Sequence, residues 1–382
     1  MSRVYLDHNA TTPLRAEARA AMSAAMDVMG NPSSVHAEGR AAKGLMERAR
    51  AQVAALAGCT PGQVVFTSSA TEAAALAVAQ KDQHGGIFAA LPTEHDCLTV
   101  WSEAELRSLF GKDGHFSQQD GLADFFGRAT GPASPVALIA ISGANSETGL
   151  MPSDGKVVPS RHAPEPHPYS VICDITQVAG KMPIQYDGNK RPAYMILSAH
   201  KLGGPKGVGA LINFTSEDPS ALLRGGGQEM GRRAGTENII GIAGFGAAAE
   251  AAARDVTAGR WEEIAELRKI LENTLAAEAK TTIFVGKGAN RLPNTSCFAT
   301  PGWKGEAQVI QMDLAGFAIS AGSACSSGKV KASNVLRAMG YDEETASSAV
   351  RVSLGLETTE QDIQRFAEVW LEKERKFRAR AA

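Results

Sequence analysis

The stretch Ser198-Ala199-His200-Lys201-Leu202-Gly203-Gly204-Pro205-Lys206-Gly207 puts one lysine just past an apolar run, Tyr194–Leu197, among small neighbours. A lysine at a strand end, with glycines that let a ligand approach, suits an imine-forming amine. Such an amine is nucleophilic once burial or a nearby cation disfavours its charged form. A basic surface turn is the other reading of the same residues. Asp174 follows a second apolar run, Tyr169–Cys173, and open α/β sheets bind ligands beyond the carboxyl ends of their strands. An aspartate there can pair with a protonated pyridine nitrogen, as a pyridoxal 5'-phosphate (PLP) site requires, or merely cap a helix. Gln177 lies close behind it. Thr67-Ser68-Ser69-Ala70-Thr71-Glu72 joins a strand to a helix. Its free N–H groups and hydroxyls make a phosphate site, or a plain N-cap. Ser198 and Thr236, the latter in Arg233-Ala234-Gly235-Thr236-Glu237-Asn238, are further hydroxyls in loops of small residues.

Cys325 stands in Ser320-Ala321-Gly322-Ser323-Ala324-Cys325-Ser326-Ser327-Gly328, a run of small residues that suits an accessible thiol on a mobile loop. Lys329, Lys331 and Arg337 nearby favour the thiolate, which is the reactive form. The other cysteines, Cys59, Cys97, Cys173 and Cys297, read as strand or helix fillers. Five widely spaced cysteines fit neither a disulfide framework nor a metal site. GGGQEMG has neither the spacing nor the preceding strand of a nucleotide-binding loop.

The elements that must position these residues alternate. Helices are expected over Arg15–Met29 and Ala37–Ala57, and a helix from near Thr71. Short apolar strands are expected at Gln63–Thr67, Ile87–Ala90, Ala137–Ile141, Tyr169–Cys173, Tyr194–Leu197 and Gly209–Asn213. That alternation predicts a mainly parallel α/β sheet. An amphipathic helix is expected over 256–280, with Ile264, Leu267, Leu271 and Leu275 on one stripe, and a domain boundary near 255. TIFVG, SCFAT, FAISAG and VRVSLG read as strands. A last helix begins near Thr358, where Thr358 and Gln361 have capping-box spacing; its apolar face is Ile363, Phe366 and Trp370, and KERKFRARAA reads as a frayed tail. The proline-rich 153–168 reads as a surface loop, and 101–130 looks irregular.

At 382 residues the chain has room for about two or three domains. A hydrophobic share of 44% and a charged share of 21% argue against disorder. The net charge of −2 gives no reason to expect nucleic acid or an anionic membrane as partner. No apolar run approaches a membrane span, and MSRVYLDHNATTP lacks a signal peptide's layout, so a cytoplasmic protein is expected.

YLDHNATTP, GNPSSVH, FTSSATE, TEHDCL, NSETG, CDITQVAGK, SAHKLGGPKG, GGGQEMGRRAGTEN, SAGSACSSG and VRVSLG occur in this order over nearly the whole chain. Together they resemble the cysteine desulfurases of the NifS and IscS type, within the class V aminotransferase group of fold-type I PLP enzymes. The resemblance implies a large PLP-binding domain, 15–255, with a mainly parallel seven-stranded sheet. It implies a smaller α+β domain of residues 1–14 and 256–382. Lys201 would hold PLP as an imine, Asp174 would pair with the pyridine nitrogen, and Gln177 would contact the phenolic oxygen. His95 would stack on the ring and help proton transfers. Thr71 with Ala70, Ser198 and His200 match phosphate-binding positions, and Thr236 one that reaches in from the other subunit of a homodimer. Asn145 matches an asparagine near a cofactor oxygen, and Arg351 and Asn31 match binders of the substrate carboxylate. Cys325 matches the nucleophile that takes sulfur from L-cysteine, leaving alanine, and passes it to an acceptor such as an iron–sulfur scaffold protein. Selenocysteine lyase, cysteine-sulfinate desulfinase and a noncatalytic scaffold are the rival readings. Ala73-Ala74-Ala75 departs from the polar residues that relatives often carry after ATE.

Overall fold

A computed structural model describes residues 3–104, 106, 108–114, 138–152, 169–186, 191–322 and 332–381. Cys325 and the proline-rich 153–168 lie outside them. The strands are β1 Val4–Tyr5, β2 Val64–Thr67, β3 Phe88–Ala90, β4 Leu138–Ser142, β5 Ser170–Asp174, β6 Tyr194–Ser198, β7 Gly209–Asn213, β8 Ile283–Phe284, β9 Thr295–Ala299, β10 Phe317–Ala318, β11 Ser320–Ala321 and β12 Ala349–Ser353.

The largest sheet runs β2-β7-β6-β5-β4-β3. Its β3–β4, β4–β5 and β5–β6 pairs are parallel, and β7 is antiparallel to both neighbours. These strands are almost wholly apolar because helices cover both faces, as parallel sheets require. Helices Ala16–Met26, Ala37–Ala57 and Ile239–Thr257 pack together on one face. The cluster between them and the sheet includes Met46, Val53, Phe66, Met195, Leu197 and Phe245. Helix Ala70–Val78 packs on the other face, around Leu76, Phe88, Ile172, Tyr194 and Ile196.

The sheet has six strands among the described residues, where the resemblance implies seven. The outer edge of β3 is closed in another way. Phe88 N donates to Glu103 Oε2 at 3.0 Å, Glu103 N donates to Phe88 O at 2.9 Å, and Ala90 N donates to Ser102 Oγ at 3.0 Å. Two side chains and one backbone N–H of an irregular segment thus satisfy edge groups that a further strand would pair.

A second sheet, β11-β12-β9-β8, is antiparallel. Beside it β1 pairs in parallel with β10, tying the start of the chain to residues 317–318. This part is built around Trp370. Its indole stands edge-on to Phe298 at 5.3 Å, tilts against Trp303 at 5.4 Å, and donates to Gln308 Oε1 at 3.1 Å. Burying one such side chain contributes roughly 1.5–3 kcal/mol, and the indole N–H is satisfied as a buried donor must be.

Three local expectations are corrected. The helix expected over 256–280 is Arg260–Glu278, separated from Ile239–Thr257 by Ala258 and Gly259. Gly259 has φ +70°, a conformation only glycine adopts cheaply, so one continuous helix is broken there. The cap of the last helix, Glu360–Ala381, is set one residue later than expected: Asp362 N donates to Thr359 Oγ1, and Thr359 N donates to Asp362 Oδ2. Thr358 instead accepts from Gly355 N. The expected frayed tail is helical to Ala381, because Phe377 stacks on Trp303 at 5.6 Å and 12°. No helix among the described residues is long and apolar enough to cross a membrane.

Candidate active site

The carboxyl ends of β2, β3, β4, β5 and β6 open onto one cavity of about 700 Å³, within the usual range for small-molecule sites. Register sets its floor. Ser142 pairs with Asp174 across β4–β5, and Ser198 and Thr67 both pair with Gly209. A Cβ on Gly209 would stand 2.4 Å from the carbonyl carbon of Ser69, so only glycine lets β7 pass this close to the loop after β2.

That loop ends in a helix N-terminus. Ser69 caps helix Ala70–Val78 by accepting from Glu72 N at 3.2 Å, and Arg233 Nε clamps Glu72 Oε1 at 2.8 Å. The first N–H groups of a helix have no partner within it, so those of Ala70 and Thr71 are available where Ser69, Ala70 and Thr71 line the cavity. Unpaired donors and the positive end of the helix dipole suit a phosphate.

Lys201 ends a short turn, Ala199–Lys201, directly after β6. Its Nζ donates to the carbonyls of Asn9 at 2.9 Å and Ala10 at 2.8 Å. Asp174, buried at the end of β5, accepts at Oδ1 from Thr176 N at 2.8 Å. The Thr176 hydroxyl is buried at the cavity wall with no hydrogen-bond partner among the described residues. Gln177 Nε2 donates to Asn9 O at 3.0 Å. His200 Nδ1 meets Thr11 Oγ1 at 3.1 Å; burial first, then Lys201 and Lys206, lowers its pKa to about 4. Its imidazole is therefore neutral at pH 7.

His95 caps a short turn with Nδ1 accepting from Cys97 N at 3.1 Å. In the neutral ring that leaves Nε2 carrying the proton. Glu94, beside it, is buried. Burial pushes its pKa up to about 8, with Asp174 adding repulsion against the opposing Ser142 hydroxyl bond.

Arg351, on β12, is buried at the opposite wall. Nη2 pairs with Asp7 Oδ1 at 2.8 Å and Nη1 donates to Ser146 O at 3.0 Å, while the buried Nε has no partner among the described residues. Glu147 lines the same wall; burial raises its pKa to about 7 against the Ser333 hydroxyl and the Arg351 charge. Gly322, three residues before Cys325, also lines the cavity.

The structure thus brings Ala70, Thr71, His95, Asp174, Gln177, Ser198, His200, Lys201 and Arg351 to one cavity. It does not bring Asn145, Asn31 or Thr236 to the cavity surface of this chain. Asn145 spends its amide on the loop itself: Nδ2 donates to Thr93 O at 2.8 Å, and Oδ1 accepts from Glu147 N, Thr148 N and Thr148 Oγ1. Asn31 is exposed and caps Ser33 N at 2.9 Å. Thr236 is exposed. Sequence reasoning missed Asn9, Glu94, Glu147 and Lys181. Asn9 and Lys181 lie inside YLDHNATTP and CDITQVAGK, so the motifs held the signal without showing which residue met which.

The family model described as aminotransferase class-V matches residues 4–366. A cysteine desulfurase of Cereibacter sphaeroides is 38% identical, with 97% of this chain and 95% of that protein covered. A cysteine desulfurase of Klebsiella pneumoniae is also 38% identical, covering 95% and 90%. The structure of a NifS-like protein from Rickettsia africae superimposes with a TM-score of 0.83 at 30% identity, covering 97% of this chain and 99% of that one.

Proposed function

The chain belongs to the aminotransferase class-V family, among its cysteine desulfurases, and from that premise we propose that it takes sulfur from L-cysteine with PLP held on Lys201. The observation that carries the reading is one cavity lined by the Lys201 amine, the Asp174 carboxylate and the N-terminus of helix Ala70–Val78. The residues fit PLP. An amine, a carboxylate and an anion-binding helix end answer its aldehyde, pyridine nitrogen and phosphate. The unpartnered Thr176 hydroxyl marks a polar wall built for a guest.

When bound, PLP supplies an electron sink for bonds at the substrate's α-carbon. Lys201 would hold it, Asp174 would keep the ring nitrogen protonated, and Gln177 would donate to the ring oxygen. Ala70, Thr71, Ser198 and His200 would hold the phosphate, joined by Thr236 of a second subunit in a homodimer. Neutral His200 donates to a phosphate oxygen or accepts from a neighbour without adding charge. Arg351 would bind the substrate carboxylate, its orphaned Nε supplying one donor. The Lys201 amine would move the substrate's α-proton, and His95 Nε2 would hold or exchange a proton beside the cofactor. The Cys325 thiolate attacks the substrate sulfur: the S–S bond forms, the C–S bond breaks, and its electron pair goes to carbon, which is protonated to give alanine. The persulfide on Cys325 is then passed to an acceptor protein such as an iron–sulfur scaffold. Residues 15–255 form the cofactor-binding part in this reading, and 1–14 with 256–382 close the site.

The test is turnover of L-cysteine by the PLP-loaded protein, with alanine and protein-bound persulfide measured together. Wild type is expected to release alanine and acquire persulfide, and Cys325→Ala to do neither above background. No alanine from wild type overturns the activity; full turnover by Cys325→Ala overturns the nucleophile alone.

A further inference from the structure

A second lysine stands behind the site. Lys181 is 3% exposed and is the only buried lysine among the described residues. Buried charges usually pair with opposite charges, yet its Nζ donates to two neutral amides, Gln177 Oε1 at 2.9 Å and Asn9 Oδ1 at 3.3 Å. Burial first, then the Lys201 and Arg351 cations, lowers its pKa to about 7. The fold therefore keeps a costly group at this point.

Below its pKa of about 7 Lys181 is an ammonium, with donors and no acceptor. The Gln177 atom that faces Lys181 must then be the amide oxygen, which turns the NH2 group to the other side. One of its hydrogens goes to Asn9 O at 3.0 Å, and the other is left for the cavity that Gln177 lines. Without Lys181 the amide is free to turn over and present an acceptor instead. Asn9 is pinned in the same way. Its Oδ1 also accepts from Asn294 Nδ2 at 3.1 Å, while its Nδ2 donates to Thr295 Oγ1 at 2.9 Å. Its carbonyl, fixed by these bonds, receives both Gln177 and the Lys201 amine.

We propose that Lys181 is a positioning residue that fixes the Gln177 amide, directly and through Asn9, so that Gln177 offers only an N–H to the cofactor's ring oxygen. The inference rests on the PLP reading above. It makes Lys181 act through Gln177, which distinguishes it from a residue that only supports packing.

The experiment compares wild type, Lys181→Met, Gln177→Leu and the double variant, each titrated with PLP. Its readouts are the absorbance band of the bound cofactor, its Kd, and the split between kcat and KM for L-cysteine. Lys181→Met is expected to fold, because it removes a buried charge that has no opposite charge beside it; if it does not, Lys181→Gln, which can turn either way, is read by the same criteria. Lys181→Met should bind PLP about tenfold more weakly, the size of one lost charge-assisted hydrogen bond, with a displaced band. The double variant should match Gln177→Leu, since residues acting as one unit are not additive. A wild-type band and Kd in Lys181→Met, or effects that add in the double variant, overturn the proposal. A wild type that takes up no PLP overturns the underlying reading and this inference with it.

Discussion

The cavity has two walls made in different ways. One is the row of strand ends: Ser142, Asp174 and Ser198, with Lys201 just beyond. Sheet register sets the strand-end positions, and the Asp174 and Lys201 side chains lean on neighbouring backbone. The other wall gathers Asn9, Glu147, Gly322 and Arg351 from segments far apart in the chain. It is held by side-chain bonds, above all the Arg351–Asp7 pair at 2.8 Å with both side chains largely buried. Where backbone register fixes a site, side chains are free to be chosen for chemistry. Where long-range polar bonds fix it, the same side chains must serve folding and binding at once.

The strand-end wall should therefore separate chemistry from stability. Lys201→Ala is expected to cut alanine formation by about 10³-fold or more and to leave the melting temperature of the apoprotein nearly unchanged. A large drop in Tm would place Lys201 in the folding network and break the contrast.

The other wall should not allow that separation. Asp7→Asn leaves Arg351 with no anionic partner at this bond. Breaking a buried pair costs about 3–5 kcal/mol, reduced here toward about 3 because the Asp7 side chain retains 16% exposure. Urea unfolding should show that loss, and the KM for L-cysteine should rise with it. A rise in KM with unchanged stability would make this wall behave like the first.

Asn145→Ala sharpens the comparison further. Its amide serves Thr93, Glu147 and Thr148. The expected loss is about 1–3 kcal/mol of stability, from buried donors left unsatisfied, with kcat changing less than KM. A selective collapse of kcat would instead give Asn145 a direct part in the reaction.

The last prediction is one of pH. Glu94 is raised from 4.5 to about 8, so the native state holds a proton that the unfolded chain releases. Its contribution to stability is full below pH 4.5 and is lost as pH rises through about 8. Glu94→Gln mimics the protonated acid. It should match wild type in apoprotein Tm near pH 4.5 and exceed it above pH 8. Parallel curves across that range would show that Glu94 is ionised in the fold.

The same contrast explains what could be read from the sequence. Short apolar runs ending in Asp174 and before Lys201 announce strands and what stands at their ends, because burial on both faces leaves no polar residue until the strand stops. The six strand positions and the first two helices follow from that pattern. The other wall is not periodic. Nothing in YLDHNATTP shows that the Asn9 carbonyl receives Lys201 and Gln177, or that Lys181 reaches Asn9, since those contacts join segments more than a hundred residues apart. The capping box was displaced by one because Thr358 and Thr359 each have a polar residue three positions on, and only the Gly355–Thr358 bond decides between them. The edge of β3 was unreadable for a similar reason: Ser102 and Glu103 look like loop residues and act as strand partners.

The most direct measurement is chemical trapping. The PLP-loaded protein is reduced with borohydride, which fixes an imine to its lysine, then digested and sequenced by mass spectrometry. The account predicts the cofactor on Lys201, with Lys181 unmodified although it lies in the same polar network. Label on Lys181, or on neither lysine, would contradict it.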